Sequence, residues 1–222
     1  MMKKIIIFGV SDAAELAYYY FTNDSDYQVT AFTVDSKYIP EGGKFCGLPV
    51  VEFENVVNIY PTDEYNFFVA VGYSNLNKIR EEKYHIARSI GYKLVSYISS
   101  KAIILNNNCI GDNCFILENN IIQPFVNIGN NITLWSGNHI GHHTKVGDHC
   151  FLASHIVISG RVNIGKSCFI GVNATLRDNI SVGKQCVIGA GTLLLNDVEE
   201  FGVYKGHATH RSKASSMRIS KI

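Results

Sequence analysis

Five histidines fall within seventeen residues: His139, His142, His143, His149 and His155. Imidazole exchanges a proton near neutral pH, so a positioned histidine can take the proton of an amine or hydroxyl as it attacks a carbonyl carbon. Acyl transfer from a thioester needs a base of this kind. Histidine clusters also hold metals, but the six cysteines form no CxxC pair, and no structural zinc site is expected. Four of them, Cys114, Cys150, Cys168 and Cys186, share one phase of a repeat and read as buried thiols acting as small hydrophobes.

That repeat is what must position the histidines. From Ile104 to Leu194 every sixth residue is aliphatic, through sixteen successive positions without a break. Glycine often follows, as at Gly111, Gly129, Gly141, Gly147, Gly165, Gly171, Gly183 and Gly189. Two residues before each aliphatic the side chain is small or branched, with Asn108, Asn120 and Asn138 as exceptions. A period of six is neither helical nor simple strand alternation. It indicates a parallel β-helix in which each short strand turns one aliphatic side chain to the axis.

The run resembles the hexapeptide-repeat acyltransferases. That resemblance implies a left-handed β-helix of triangular section, with eighteen residues per coil and just over five coils. Residues eighteen apart then stack on one edge, which places His142 beneath Gly160. The family's motif, I-x-H-(Glu or Asp)-x-x-(Ile or Val)-G, maps onto Ile140-Gly141-His142-His143-Thr144-Lys145-Val146-Gly147. By that likeness the general base falls on His142, and the position that normally carries a carboxylate falls on His143, which can offer only a hydrogen bond. Gly160 is the expected residue beside the thioester, its N–H holding the acyl oxyanion. One further coil along, the coenzyme-lining position falls near Ala190. By position alone, His143, His149 and His155, six apart, also read as solvent-facing corner residues on three different faces. Trp135 and Phe125 are candidates for an acceptor pocket or a subunit contact. A γ-type carbonic anhydrase has the same kind of helix, with two of its zinc histidines five apart. No pair here has that spacing, and no metal is expected.

Ahead of the repeat, strands alternate with helices, which implies a small parallel α/β domain. The expected strands are Lys4 to Phe8, Val29 to Val34, a short one near Val50 and Val51, Phe67 to Val71, and Lys93 to Ile98. The expected helices are Ala13 to Phe21, capped by Ser11 or Asp12, then Phe53 to Ile59 and Leu76 to Ile90. Ligands of such sheets bind at the carboxyl ends of strands. Gly9, Ser11, Asp35 and Gly72 lie there, although GVSDAA is not a dinucleotide fingerprint. The arrangement resembles the bacterial nucleotide-amino-sugar N-acetyltransferases and the sialic-acid O-acetyltransferases, which carry a Rossmann-like domain of this size before the β-helix. The likeness implies a nucleotide-sugar site at Gly9, Ser11 and Asp35. It also implies a coenzyme loop at Val203 to Ala208, with Lys205 as a phosphate contact.

Composition is that of an ordinary globular chain: 222 residues, 46% apolar, 18% charged, net charge +1. There is no basic excess for nucleic acid and no apolar run of transmembrane length, so a cytoplasmic location is expected. The expected organisation is residues 1–97 as a Rossmann-like nucleotide-sugar domain, 98–205 as the left-handed β-helix, and 206–222 as a basic tail through Arg211, Lys213 and Arg218. The resemblance implies a homotrimer using acetyl-coenzyme A, or another acyl-coenzyme A, to acylate a nucleotide-linked amino sugar without a metal. Sugar O-acetylation is the near alternative and a non-catalytic nucleotide-sugar scaffold the distant one.

Overall fold

The computed structural model describes residues 3–211 and 216–218; of the expected tail, Lys213 lies outside them. The chain begins with β1 (Lys3–Phe8), α1 (Asp12–Asn23) and β2 (Tyr27–Val34). It continues through β3 (Lys44–Phe45), β4 (Leu48–Glu52), α2 (Val56–Ile59), β5 (Tyr65–Val69), α3 (Lys78–Ile90) and β6 (Lys93–Leu94). The sheet order is β3-β4-β2-β1-β5-β6, parallel except for the β3–β4 hairpin, which the sequence did not announce. The run IIIF makes β1 the central strand because both its faces are covered. Ile5 and Ile7 pack with Ala14, Ala17 and Phe21 of α1, and Ile6 and Phe8 with Tyr84 and Ala87 of α3.

Two expectations need correction. α3 starts at Lys78, not Leu76, because Asn75, Leu76 and Asn77 are all left-handed, with φ of 53°, 51° and 64°. The strand expected over Lys93 to Ile98 is two strands. β6 closes the sheet, whereas Tyr97–Ile98 begins the β-helix, its Tyr97 N–H already donating to Cys114 O at 2.8 Å.

From Tyr97 on, two-residue strands stack into three parallel sheets of seven, six and five strands, the faces of a left-handed triangular prism. The first face runs from Tyr97–Ile98 to Val203–Tyr204. The second runs from Ile103–Ile104 to Leu193–Leu194, and the third from Cys109–Ile110 to Ser181–Val182. The six-residue aliphatics fill the axis, and from Ile116 to Leu194 all are buried. Asn120 and Asn138 do not break this core. Their amides donate to the carbonyl of Trp135 and so serve the backbone of a corner. Gly165 shows why glycine follows the third face: a Cβ there would lie 2.5 Å from Lys184 N of the next coil. From Asn107 to Gly191 each corner passes through a left-handed residue, for example Asn131, Gly137 and His143 in one coil and His149, His155 and Arg161 in the next. That conformation costs a non-glycine residue about 1 kcal/mol.

The three faces differ outside. The α/β unit covers the first, with Tyr20 against Tyr97 and Phe115, and Tyr73 against Phe151 and Phe169. The second presents Ile103, Ile121, Val157 and Leu193, all exposed. The third presents Asn127, Lys145, Asn163 and Ser181.

Candidate active site

His142 sits at the edge where the chain leaves the second face for the third, and its ring lies over Gly160. A Cβ on Gly160 would be 2.6 Å from His142 Cε1 and 2.7 Å from Nε2, so only glycine leaves room for the imidazole. The backbone N–H of His142 donates to Gln123 Oε1 at 2.9 Å. Its Nδ1 is 3.1 Å from Nδ1 of His143, so one ring donates and the other accepts. With His142 as donor, its Nε2 keeps a free lone pair on the exposed edge. His143 is turned back by its left-handed backbone (φ 60°) and packs against Phe125, ring centres 4.8 Å apart. Thus the residue in the carboxylate's place supplies a hydrogen bond, but no negative charge to stabilise an imidazolium.

Two sequence expectations change here. The Gly160 N–H is not free for an oxyanion, because it donates to Asp178 Oδ1 at 2.9 Å. Asp178, eighteen residues on, had not been singled out; the same stacking arithmetic locates it. Nor does Ala190 share the edge of His142 and Gly160. It lies at the corner between the first and second faces, together with the Lys205 loop, where Gly206 packs so tightly that a Cβ would be 2.1 Å from Ala190 O. The coenzyme candidates therefore fall on the two opposite edges of the second face.

In the α/β unit, Gly9 has φ 130° and its Cβ position is 2.5 Å from Ala70 O, so the turn after β1 requires glycine. Ser11 precedes α1, and its side chain makes no capping bond. Ser11 and Asp35 line one recess of about 510 Å³ with Tyr38, Lys37 and Lys83. Lys83, missed in the sequence, pairs with Asp35 at 2.5 Å and lies 5.5 Å from the ring centres of Phe8 and Phe53. Only the fold brings α3 over the end of β2. Gly72 is three residues past the end of β5 and lines a different cavity, with Trp135. Phe125 is not part of it.

His149 is not solvent-facing: it is 4% exposed. Together with Glu81 and His85 of α3 it forms a group whose ligand atoms lie within 4.8 Å of one another. The hydrogen bonds argue against a cation. Val69 N–H donates to Asn113 Oδ1 at 2.7 Å, so the Asn113 amide nitrogen faces Asn131 Oδ1 at 2.8 Å. The Asn131 nitrogen then meets His149 Nδ1 at 2.9 Å. His149 Nδ1 is thereby an acceptor, and the ring proton sits on Nε2, toward Glu81 Oε1 at 3.6 Å. A metal at Nε2 would displace that proton. Burial holds the imidazole below its ordinary pKa, hence neutral.

Comparison with known proteins agrees with this architecture. A family model described as "Hexapeptide repeat of succinyl-transferase" matches residues 161–195. No curated protein sequence matches the chain. Among solved structures, the acetyltransferase domain of PglB from Neisseria gonorrhoeae superposes with a TM-score of 0.81 at 19% identity, over 92% of this chain and 97% of that one. PerB from Caulobacter crescentus, solved with CoA and GDP-perosamine, gives 0.80 at 21% identity over 93% and 95%. WeeI from Acinetobacter baumannii gives 0.77 at 20% over 91% and 96%. The chain carries a hexapeptide repeat and has the two-part fold of these structures: a Rossmann-like sheet followed by a left-handed β-helix.

Proposed function

We propose that the protein is an acyl-coenzyme A-dependent N-acyltransferase acting on a nucleotide-linked amino sugar. The observation that carries this reading is His142, seated over Gly160 at an open edge with Nδ1 engaged by His143. In the proposed step, His142 Nε2 takes the proton of the acceptor amine as its nitrogen attacks the thioester carbonyl carbon. Collapse of the tetrahedral adduct breaks the carbon–sulfur bond and forms the amide. The proton passes to the departing thiolate, so no acyl-enzyme is required. PerB, bound to CoA and GDP-perosamine, supports the choice of co-substrates. The recess at Ser11, Asp35 and Lys83 is the proposed nucleotide end.

The apolar second face supports a homotrimer. Three copies with that face toward a common axis would set the His142 edge of one copy beside the Ala190 and Lys205 edge of the next. The coenzyme candidates, divided within one chain, would then meet. Val157→Asp, which alters an exposed side chain at the centre of that face, is expected to give a folded monomer with little transferase activity. Light scattering and circular dichroism check both parts; a trimeric Val157→Asp protein would sink this placement of the interface.

Gly160→Ala is expected to push the His142 ring aside without unfolding the coil, because the atoms it meets are the far end of a side chain. The expected loss in kcat is on the order of 10²-fold, with an almost unchanged unfolding temperature.

The direct test of the function is thiol release from acetyl-coenzyme A in the presence of UDP-, dTDP- and GDP-linked amino sugars. Turnover with one of them supports the reading. Turnover only with a hydroxyl acceptor would make the protein an O-acyltransferase. Binding without turnover would favour the scaffold alternative, which the missing carboxylate after His142 keeps in view.

A further inference from the structure

The edge that carries His142 has a base, but its expected oxyanion donor is occupied. The Gly160 N–H, under the His142 ring, is held by Asp178 Oδ1 at 2.9 Å. His143 is turned back against Phe125. Charge that develops on a thioester oxygen is stabilised by N–H groups already aimed at it. A donor from another quarter would complete the site.

The opposite edge of the second face offers one. Ser154 lies two coils of eighteen before Ala190, so its neighbour His155 stands on the Ala190 edge. The His155 ring lies over Gly137, where a Cβ would be 2.6 Å from both Cε1 and Nδ1. Gly137 is left-handed, with φ 81°, and a side chain there would displace the ring. His155 is exposed, and its ring makes no hydrogen bond among the described residues.

The two rings share one layer of the prism. His142 leans from its own coil over Gly160 of the next, and His155 leans from that next coil back over Gly137. Gly137 and His142 are five residues apart in a coil of eighteen, as are His155 and Gly160. With strands about 4.8 Å apart, the rings therefore differ in height by only about 1.3 Å. Rotation about an axis parallel to the prism changes no height. In the trimer proposed above, this layer of one copy meets the same layer of the next, His142 edge against His155 edge.

We propose that His155 of the partner subunit is the oxyanion donor of the His142 site. The inference rests on the transferase reading. As the amine nitrogen bonds to the carbonyl carbon, the carbonyl electron pair moves to oxygen. The ring N–H of the partner's His155 holds that oxygen by a hydrogen bond and keeps its proton. Collapse returns the pair and expels the thiolate. Each site then takes one histidine from each of two copies.

His155→Ala should lower kcat by about 10²–10³-fold, with KM for acetyl-coenzyme A nearly unchanged. His155→Gln, which can still donate, should lose clearly less. The decisive test mixes His142→Ala and His155→Ala chains under two affinity tags and isolates trimers that hold both. Whatever its ratio, each mixed trimer has one intact site of its three, so about one third of the wild-type activity should return. A second readout needs no turnover. Cys46 and Cys109 are replaced by serine, the other four cysteines being buried. In that background, mixed His142→Cys and His155→Cys chains should be joined chain to chain by a short bismaleimide. Wild-type kcat in His155→Ala, no recovery on mixing, or no cross-link would each overturn the proposal. A cross-link in a protein that turns over no acceptor would overturn the transferase reading and the donor role with it, leaving only the contact between copies.

Discussion

His142→Ala should lower kcat for acyl transfer by about 10²–10⁴-fold, the usual worth of a positioned general base. Coenzyme A and nucleotide-sugar affinities should change little, because the ring is exposed and its place in the coil is held by backbone bonds. His142→Gln should be nearly as inactive, since an amide cannot take the proton. The partner ring adds a second readout. His143→Ala removes the hydrogen-bond partner of His142 Nδ1 and frees its tautomer, so a smaller loss, of about tenfold, is expected. A His142→Ala enzyme that kept most of its kcat would move the base elsewhere and undo the proposed mechanism. These measurements use steady-state thiol release alongside equilibrium binding, so that loss of chemistry is separated from loss of binding.

The largest stability effect is expected at Asn113, far from His142. Its side chain accepts from Val69 N–H and donates to Val69 O and to Asn131 Oδ1, all within a buried seam. Asn113→Ala would leave the end of β5 without its partner and the Asn131–His149 chain without its anchor. A single buried donor left unsatisfied costs about 1–3 kcal/mol. Asn113 is also left-handed, with φ 51°, which adds about 1 kcal/mol for alanine. The expected total is roughly 2–4 kcal/mol. Asn113→Gly should recover only the backbone part, about 1 kcal/mol. Denaturant unfolding of both variants tests this, and equal stability of the two would show that the backbone conformation is not a cost at this corner.

The β-helix was legible because its determinant is local. One aliphatic every six residues states the period, and the narrow axis enforces it at every coil. The same arithmetic placed His142 over Gly160. The same step of eighteen leads from Gly160 to Asp178, which lies outside the family motif. Ala190 lies twelve residues beyond Asp178 and so at a different corner, because only multiples of eighteen return to the same one. The α/β elements were legible from apolar runs, but their ends were not. Left-handed turns such as Asn75 to Asn77 carry no apolar pattern, and asparagine there looks like any polar residue. Arg80, Glu81 and Lys83 of α3 could not be linked in the sequence to their partners, such as His149 and Asp35, because α3 meets them only across the chain. Their chemistry comes from docking, which no spacing encodes.

The left-handed corners have a consequence for how the molecule comes together. A coil of two-residue strands joined by three unfavourable turns has almost nothing to hold itself in place. Each coil must be cast on the one before it, so assembly resembles growth from a seed in one dimension. The α/β unit supplies that seed. Its bonds fasten the early coils through Asn113, Asn131 and Cys150, and reach as far as the Ser167 hydroxyl, 3.5 Å from Glu81. Past Ser167 the corner residues Asn173, Asn179 and Gln185 donate to Ser154, Gly160 and Lys166 of the previous turn, so the far end of the prism, with Ala190 and Lys205, is expected to be cast last.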